Sequence, residues 1–112
     1  MKIFIINLST ATQRRQFQKQ QMSKLDLNYE FLEATSIHDI SDETYAKHFH
    51  DWQRPLRNTE VACYFSHRSL WQKIIDSNMP ALILEDDALL SKCVPELLKS
   101  FTNKQSVDLI NL

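Results

Sequence analysis

Glycine is missing from all 112 residues, although an average usage of about 7% predicts several in a chain of this length. Any left-handed backbone position must therefore be filled by another residue, and asparagine tolerates that geometry better than most. Cysteine is scarce. Cys63 and Cys93 have no C-x-x-C spacing; they read as small buried apolar residues or as a disulfide, with free thiols the expectation. Surplus charge is absent too. A net charge of −1 lacks the electrostatic footprint of a nucleic-acid binder, and neither end carries an acidic or basic tail. No apolar run reaches membrane-spanning length: "MKIFIINL" is too short, and no small-residue cleavage site follows it, so it reads as a strand and the expected compartment is the cytoplasm.

At this size roughly two-thirds of the unfolded surface can be buried, so residues 1–112 are expected to form a single domain. "KIFIIN", residues 2–7, is a short β-branched run, and "STATQRRQFQKQQMSKL" follows with helix formers and a capping Ser9 or Thr10. Phe17, Met22 and Leu25 give that helix a narrow apolar stripe. "NYEFLEATS", residues 28–36, predicts a second strand, and residues 36–58 a long loop with one helical turn. Apolar residues at Val61, Phe65, Leu70, Ile74 and Ile75 predict a helix over 59–77. "PALILEDD" then reads as a strand buried on both faces, "SKCVPELLKSF" as a helix with Pro95 near its first turns, and "SVDLINL" as a further strand. Strands alternating with helices predict an α/β fold with a mostly parallel sheet flanked by helices.

The chemistry gathers at strand ends. In open parallel sheets ligands bind beyond the carboxyl ends of the strands, which brings together Asn7, Leu8 and Ser9 with Glu85, Asp86 and Asp87. Strand alternation puts Glu85 and Asp87 on one face, able to grip a hard cation such as Mn²⁺ or Mg²⁺ that keeps positions open for substrate phosphates. The competing reading has Asp87 capping the next helix and its neighbours solvated. Arg14 and Arg15 lie near a helix N-terminus, where an anion is already favoured, so they suit a diphosphate or form an ordinary solvated face. Glu60, Cys63, His67, Trp71 and Ile74 share one side of the long helix. Cys63 and His67 alone do not make a zinc site, and His48 and His50 read as solvent-exposed.

In order and spacing, "FIINLSTATQRRQ", "YEFLEATS" and "NTEVACYFSHRSLWQKIIDSNMPALILEDDALL" resemble the glycosyltransferase family 25 enzymes of the bacterial lipooligosaccharide galactosyltransferase type. The most specific blocks are Glu60, Cys63, Ser66 and His67 in the long helix and Ile83 to Asp87 at the strand end. The resemblance implies a GT-A-like (Rossmann-like) fold that binds a UDP-sugar, usually UDP-galactose, and transfers the sugar with inversion to a lipooligosaccharide acceptor. It implies a Mn²⁺- or Mg²⁺-binding role for Glu85, Asp86 and Asp87, and a nucleotide-sugar site at Asn7, Leu8, Arg14, Arg15, Glu60, Ser66 and His67. It also implies an enzyme working in the cytoplasm, at most peripherally at the inner membrane. Where family members commonly carry glycine, this chain has Asn58 and Asn78. Family catalytic domains continue well past "DLINL", so a truncated, donor-side portion is expected, with the acceptor side and general base lying elsewhere. A non-catalytic donor-binding or assembly module is the alternative, and an uncovered sheet edge predicts self-association into a homo-oligomer.

Overall fold

The computed structural model describes residues 1–101 and 109–110 of the chain. Its elements run β1 (Lys2–Asn7), α1 (Thr12–Lys24), β2 (Glu30–Glu33), a 3₁₀ turn (Ile37–Asp39), α2 (Asp42–His48), α3 (Asn58–Ser77), β3 (Ala81–Glu85) and α4 (Val94–Phe101). The three strands form a parallel sheet in the order β2-β1-β3. Ile5 stands opposite Phe31 on one side and Leu84 on the other. This is the α/β, Rossmann-like arrangement expected from the sequence.

Alternation along β1 builds the two halves of the core. Ile3 and Ile5 pack with Met22 of α1, Leu84 of β3, and Val94 and Leu98 of α4. Phe4 and Ile6 face the other way, onto Leu70 of α3. Leu70 is fully buried, which stabilises the fold by about 2 kcal/mol. Helices thus cover both faces of the central strand. The chain leaves β1 toward β2 on one side and returns to β3 on the other, so a switch point opens between the carboxyl ends of β1 and β3.

Several expectations need correction. The first helix has neither Ser9 nor Thr10 as its cap: it starts at Thr12 behind Ala11, which makes no side-chain cap bond. Its buried face is Gln18, Gln21 and Met22, while Phe17 is exposed. β2 is shorter than 28–36 because its exit is pulled off the sheet. The Thr35 N–H donates to Ser66 Oγ at 2.9 Å, and Ser36 caps the 3₁₀ turn. The expected loop over 36–58 contains α2, capped by Ser41 and clasped by Lys47–Glu43 at 2.7 Å. His48 is half-buried, its ring against Phe65 and its Nδ1 2.9 Å from the Thr44 carbonyl. β3 is not buried on both faces; only Leu84 is buried, and among the described residues β3 is an edge strand. The strand expected over 106–112 lies largely outside the described residues, and Leu109 and Ile110, which are described, are exposed and belong to no regular element.

The missing glycines are replaced as anticipated at one position and differently at another. Asn78 closes α3 in the left-handed conformation, φ 48°. Asn58, in contrast, is an ordinary first residue of α3, and the second left-handed residue is Asp26, φ 51°, just after α1.

Candidate functional site

A cleft of about 900 Å³ lies at the carboxyl ends of the three strands. Asn7 to Thr10 and Arg14 form one wall, Glu33 to His38 another, and Thr59, Ala62, Cys63 and Ser66 of α3 a third, with Glu85 and Asp86 at the base.

Asn7 and Asp86 join β1 to the turn after β3. Asn7 Nδ2 donates to Asp86 Oδ2 at 2.7 Å, and Arg14 Nη1 donates to Asp86 Oδ1 at 3.0 Å. Asn7 and Asp86 are buried, whereas the Arg14 side chain is 62% exposed. The Asp86 carboxylate, through its hydrogen bond first and its charge second, raises the Arg14 pKa further above its ordinary value. Arg14 is therefore a fixed cation at the mouth of the cleft. Arg15 does something else: its Nη1 donates to Asn7 Oδ1 at 3.0 Å and its guanidinium lies over the Phe31 ring. It braces Asn7 from behind and does not line the cleft.

The acidic turn is held from below by two buried glutamines of α1 that lie outside the Phe17, Met22 and Leu25 stripe expected from the sequence. Gln18 Nε2 donates to the carbonyls of Asp86 (3.1 Å) and Ala88 (2.8 Å). Gln21 Nε2 donates to Gln18 Oε1 and to the Ala88 carbonyl, and its Oε1 accepts from the Leu90 N–H at 2.8 Å. Nothing in the sequence marks these two among eight glutamines except their spacing around Met22.

Strand alternation stops at Glu85, whose carbonyl accepts from the Ala88 N–H to close the turn through Asp86 and Asp87. The three consecutive carboxylates splay and do not converge on one point. Asp86 turns toward α1, and Glu85 turns toward α3, where its Oε1 sits 3.2 Å from His67 Nε2 and 3.7 Å from Cys63 Sγ. Burial first, then the Glu85 charge, raises the Cys63 thiol above its ordinary pKa. Asp87 is exposed and reaches Arg14 through charge alone.

The remaining sequence-derived candidates have other partners. Glu60 is held by both terminal nitrogens of Arg54, at 2.9 and 2.5 Å, and by the Arg57 N–H at 2.7 Å. The Arg54 hydrogen bond is the main cause that lowers the Glu60 pKa to about 2. Glu60 fastens the segment before α3 to that helix and lies outside the cleft lining. Ser66 is buried, donating to the Ala62 carbonyl at 3.0 Å while accepting from Thr35, so its hydroxyl fixes the cleft wall. Leu8 lines the cleft. Cys63 and Cys93 are both free.

Comparison with known proteins identifies the family. The family described as "Glycosyltransferase family 25 (LPS biosynthesis protein)" matches residues 1–112. The chain is 32% identical over 99 residues to the lipooligosaccharide biosynthesis protein lic2B of Haemophilus influenzae, covering 80% of this chain and 34% of that protein. It is 31% identical over 97 residues to a glycosyltransferase 25 family member of Aedes aegypti, covering 76% of this chain and 16% of the relative. Identity to procollagen galactosyltransferase 1-A of Xenopus laevis is 26% over 98 residues. The chain thus spans between about a sixth and a third of the relatives it matches. Among the described residues no helix is long and apolar enough to cross a membrane. With the family matched from end to end and a cleft at the carboxyl ends of a parallel sheet, the chain belongs to glycosyltransferase family 25.

Proposed function

We propose that the cleft binds the nucleotide-diphosphate portion of a sugar donor of the UDP-galactose class and forms the donor side of an inverting sugar transfer to a lipooligosaccharide acceptor. The observation that carries this reading is the Asn7–Asp86–Arg14 bridge, which fixes a cation at the switch point of a parallel sheet in a glycosyltransferase family. A second feature supports it. α1 begins behind the Leu8–Thr10 wall with no acidic residue in its first turn and no side-chain cap. Its positive end is left uncompensated by its own sequence, which favours a phosphate there.

The carboxylates fit a hard divalent cation in a restricted way. Mg²⁺ and Mn²⁺ are commonly held by one or two carboxylates, with substrate phosphates completing the shell. Glu85 and Asp87 are the carboxylates with oxygen positions to give; both Asp86 oxygens already accept hydrogen bonds. When bound, such a cation would neutralise charge on the departing nucleoside diphosphate. The chain's own residues position the site: Asp86 holds Arg14 and Asn7 in place, Ser66 fixes the β2 exit, and Thr59, Ala62 and Cys63 of α3 complete that wall of the cleft.

Calorimetric titration with UDP-galactose and with UDP, each with and without Mn²⁺, tests this reading. Mn²⁺-dependent binding that is weakened in Asp87→Ala supports it. The absence of binding to either nucleotide under both conditions refutes it.

A further inference from the structure

Cys63, His67 and Glu85 form the only cluster among the described residues in which three groups able to ligate a metal converge, with one ligand atom of each within 4.8 Å of the others. The convergence has a simple origin. Cys63 and His67 are one helical turn apart and project from the same side of α3. Glu85, the last residue of β3, turns its side chain toward that helix. The resulting donors are one sulfur, one imidazole nitrogen and one carboxylate oxygen.

That mixture does not suit Mn²⁺ or Mg²⁺, which prefer oxygen throughout; it suits a borderline-soft ion such as Zn²⁺. The spacing fits as well. With ordinary zinc bond lengths and tetrahedral angles, the sulfur–oxygen edge is about 3.6 Å and the nitrogen–oxygen edge about 3.4 Å. In the structure these separations are 3.7 and 3.2 Å. Cys63 and Glu85 both line the cleft, which leaves a fourth position on the open side. The thiol's raised pKa makes Cys63 a poor free nucleophile, but a metal ion can displace its proton and bind the thiolate.

We propose that Cys63, His67 and Glu85 bind Zn²⁺ or a metal of similar softness, with the fourth coordination position facing the cleft. The site needs no nucleotide and so stands apart from donor binding. Where the donor reading also holds, the two share Glu85, and Zn²⁺ competes with Mn²⁺-dependent donor binding.

The test titrates the metal-free full chain with Zn²⁺ against a chromophoric chelator, and with Co²⁺ followed by absorption, in the absence of nucleotide. The expected result is one equivalent bound, with a thiolate-to-cobalt charge-transfer band and the intense visible bands of a tetrahedral ion. Cys63→Ser removes the charge-transfer band, and both Cys63→Ser and His67→Gln weaken Zn²⁺ binding by at least about tenfold, as expected when a ligand is lost. Cys93→Ser leaves band and affinity intact. Far-UV circular dichroism establishes that each variant is folded, and His67→Gln, at a half-buried helix position, carries the test if Cys63→Ser is not. The proposal is overturned by an absence of binding, by a Co²⁺ spectrum without a thiolate band, or by Zn²⁺ affinity unchanged in folded Cys63→Ser or His67→Gln.

Discussion

Replacing Gln18 with methionine tests whether the acidic turn is held by buried amides. Methionine has nearly the same length and flexibility, so packing around Met22 changes little. The variant loses three hydrogen bonds: two donated to the carbonyls of Asp86 and Ala88, and one accepted from Gln21. The Ala88 carbonyl keeps its bond from Gln21, whereas the Asp86 carbonyl loses the Gln18 donor that reaches it. At a net contribution of about 1 kcal/mol per bond, less what the thioether gains by leaving water, the cost is about 2–3 kcal/mol. For a domain of this size that is roughly a 10 °C fall in melting temperature. Gln16→Met, on the exposed side of the same helix, changes stability by less than about 0.5 kcal/mol. Urea denaturation followed by circular dichroism measures both. If Gln18→Met costs no more than Gln16→Met, the glutamines do not anchor the turn and the argument built on them fails.

Two further outcomes follow from the same contacts. Asp86→Ala leaves the buried Asn7 amide without its 2.7 Å partner and costs about 2–3 kcal/mol in urea titration, whereas Asp86→Asn, which keeps an acceptor for Asn7, costs clearly less; equal losses in the two variants would show that charge, and not the hydrogen bond, dominates. Because Arg54 and the Arg57 N–H hold the Glu60 carboxyl at about 2, below its value in an unfolded chain, the clasp contributes at neutral pH and is lost only as pH falls toward 2. The Arg57 amide proton, which donates to Glu60, should therefore titrate by NMR near pH 2, and a midpoint in the ordinary carboxylate range would contradict the pairing.

How much of this was legible in the sequence depends on which interaction decides each position. The apolar runs of β1 and β3 and the periodicity of Val61, Phe65 and Leu70 reflect burial, which acts over whole segments, so the α/β alternation could be read directly. The family resemblance was legible in the same stretches. The direction of each carboxylate in Glu85–Asp87 was not, because alternation applies only while the strand lasts, and the Glu85–Ala88 turn ends it at the residue that matters. Gln18 and Gln21 were hidden because a buried amide looks like a solvated one until its backbone partners, some 70 residues away, are known. Helix α2 was legible only as a single unplaced helical turn within residues 36–58, although Ser41 followed by Asp42 and Glu43 is an N-terminal signal, because the seven residues it introduces carry no strong apolar period. Likewise, spacing put Glu60 on the side of α3 that carries Cys63 and His67, but it could not show that Arg54 had claimed it.

The sheet order also bears on the sequence of events in folding. Ile5 meets Phe31 after a short excursion through α1, but meets Leu84 only across 79 positions, and closing the longer loop costs about 1 kcal/mol more in chain entropy. We therefore expect β1, α1 and β2 to come together first and β3 to dock last. Asn7 and Asp86, on opposite sides of that final closure, would then be strangers in the transition state. A folding φ-value near zero for Asp86→Ala, against a clearly larger one for a truncation of Ile5 or Met22, would show it, and a high value at Asp86 would reverse the order. On this ordering a partly folded chain has the first wall of the cleft without its base, so whatever the cleft binds can be held only by the completed fold.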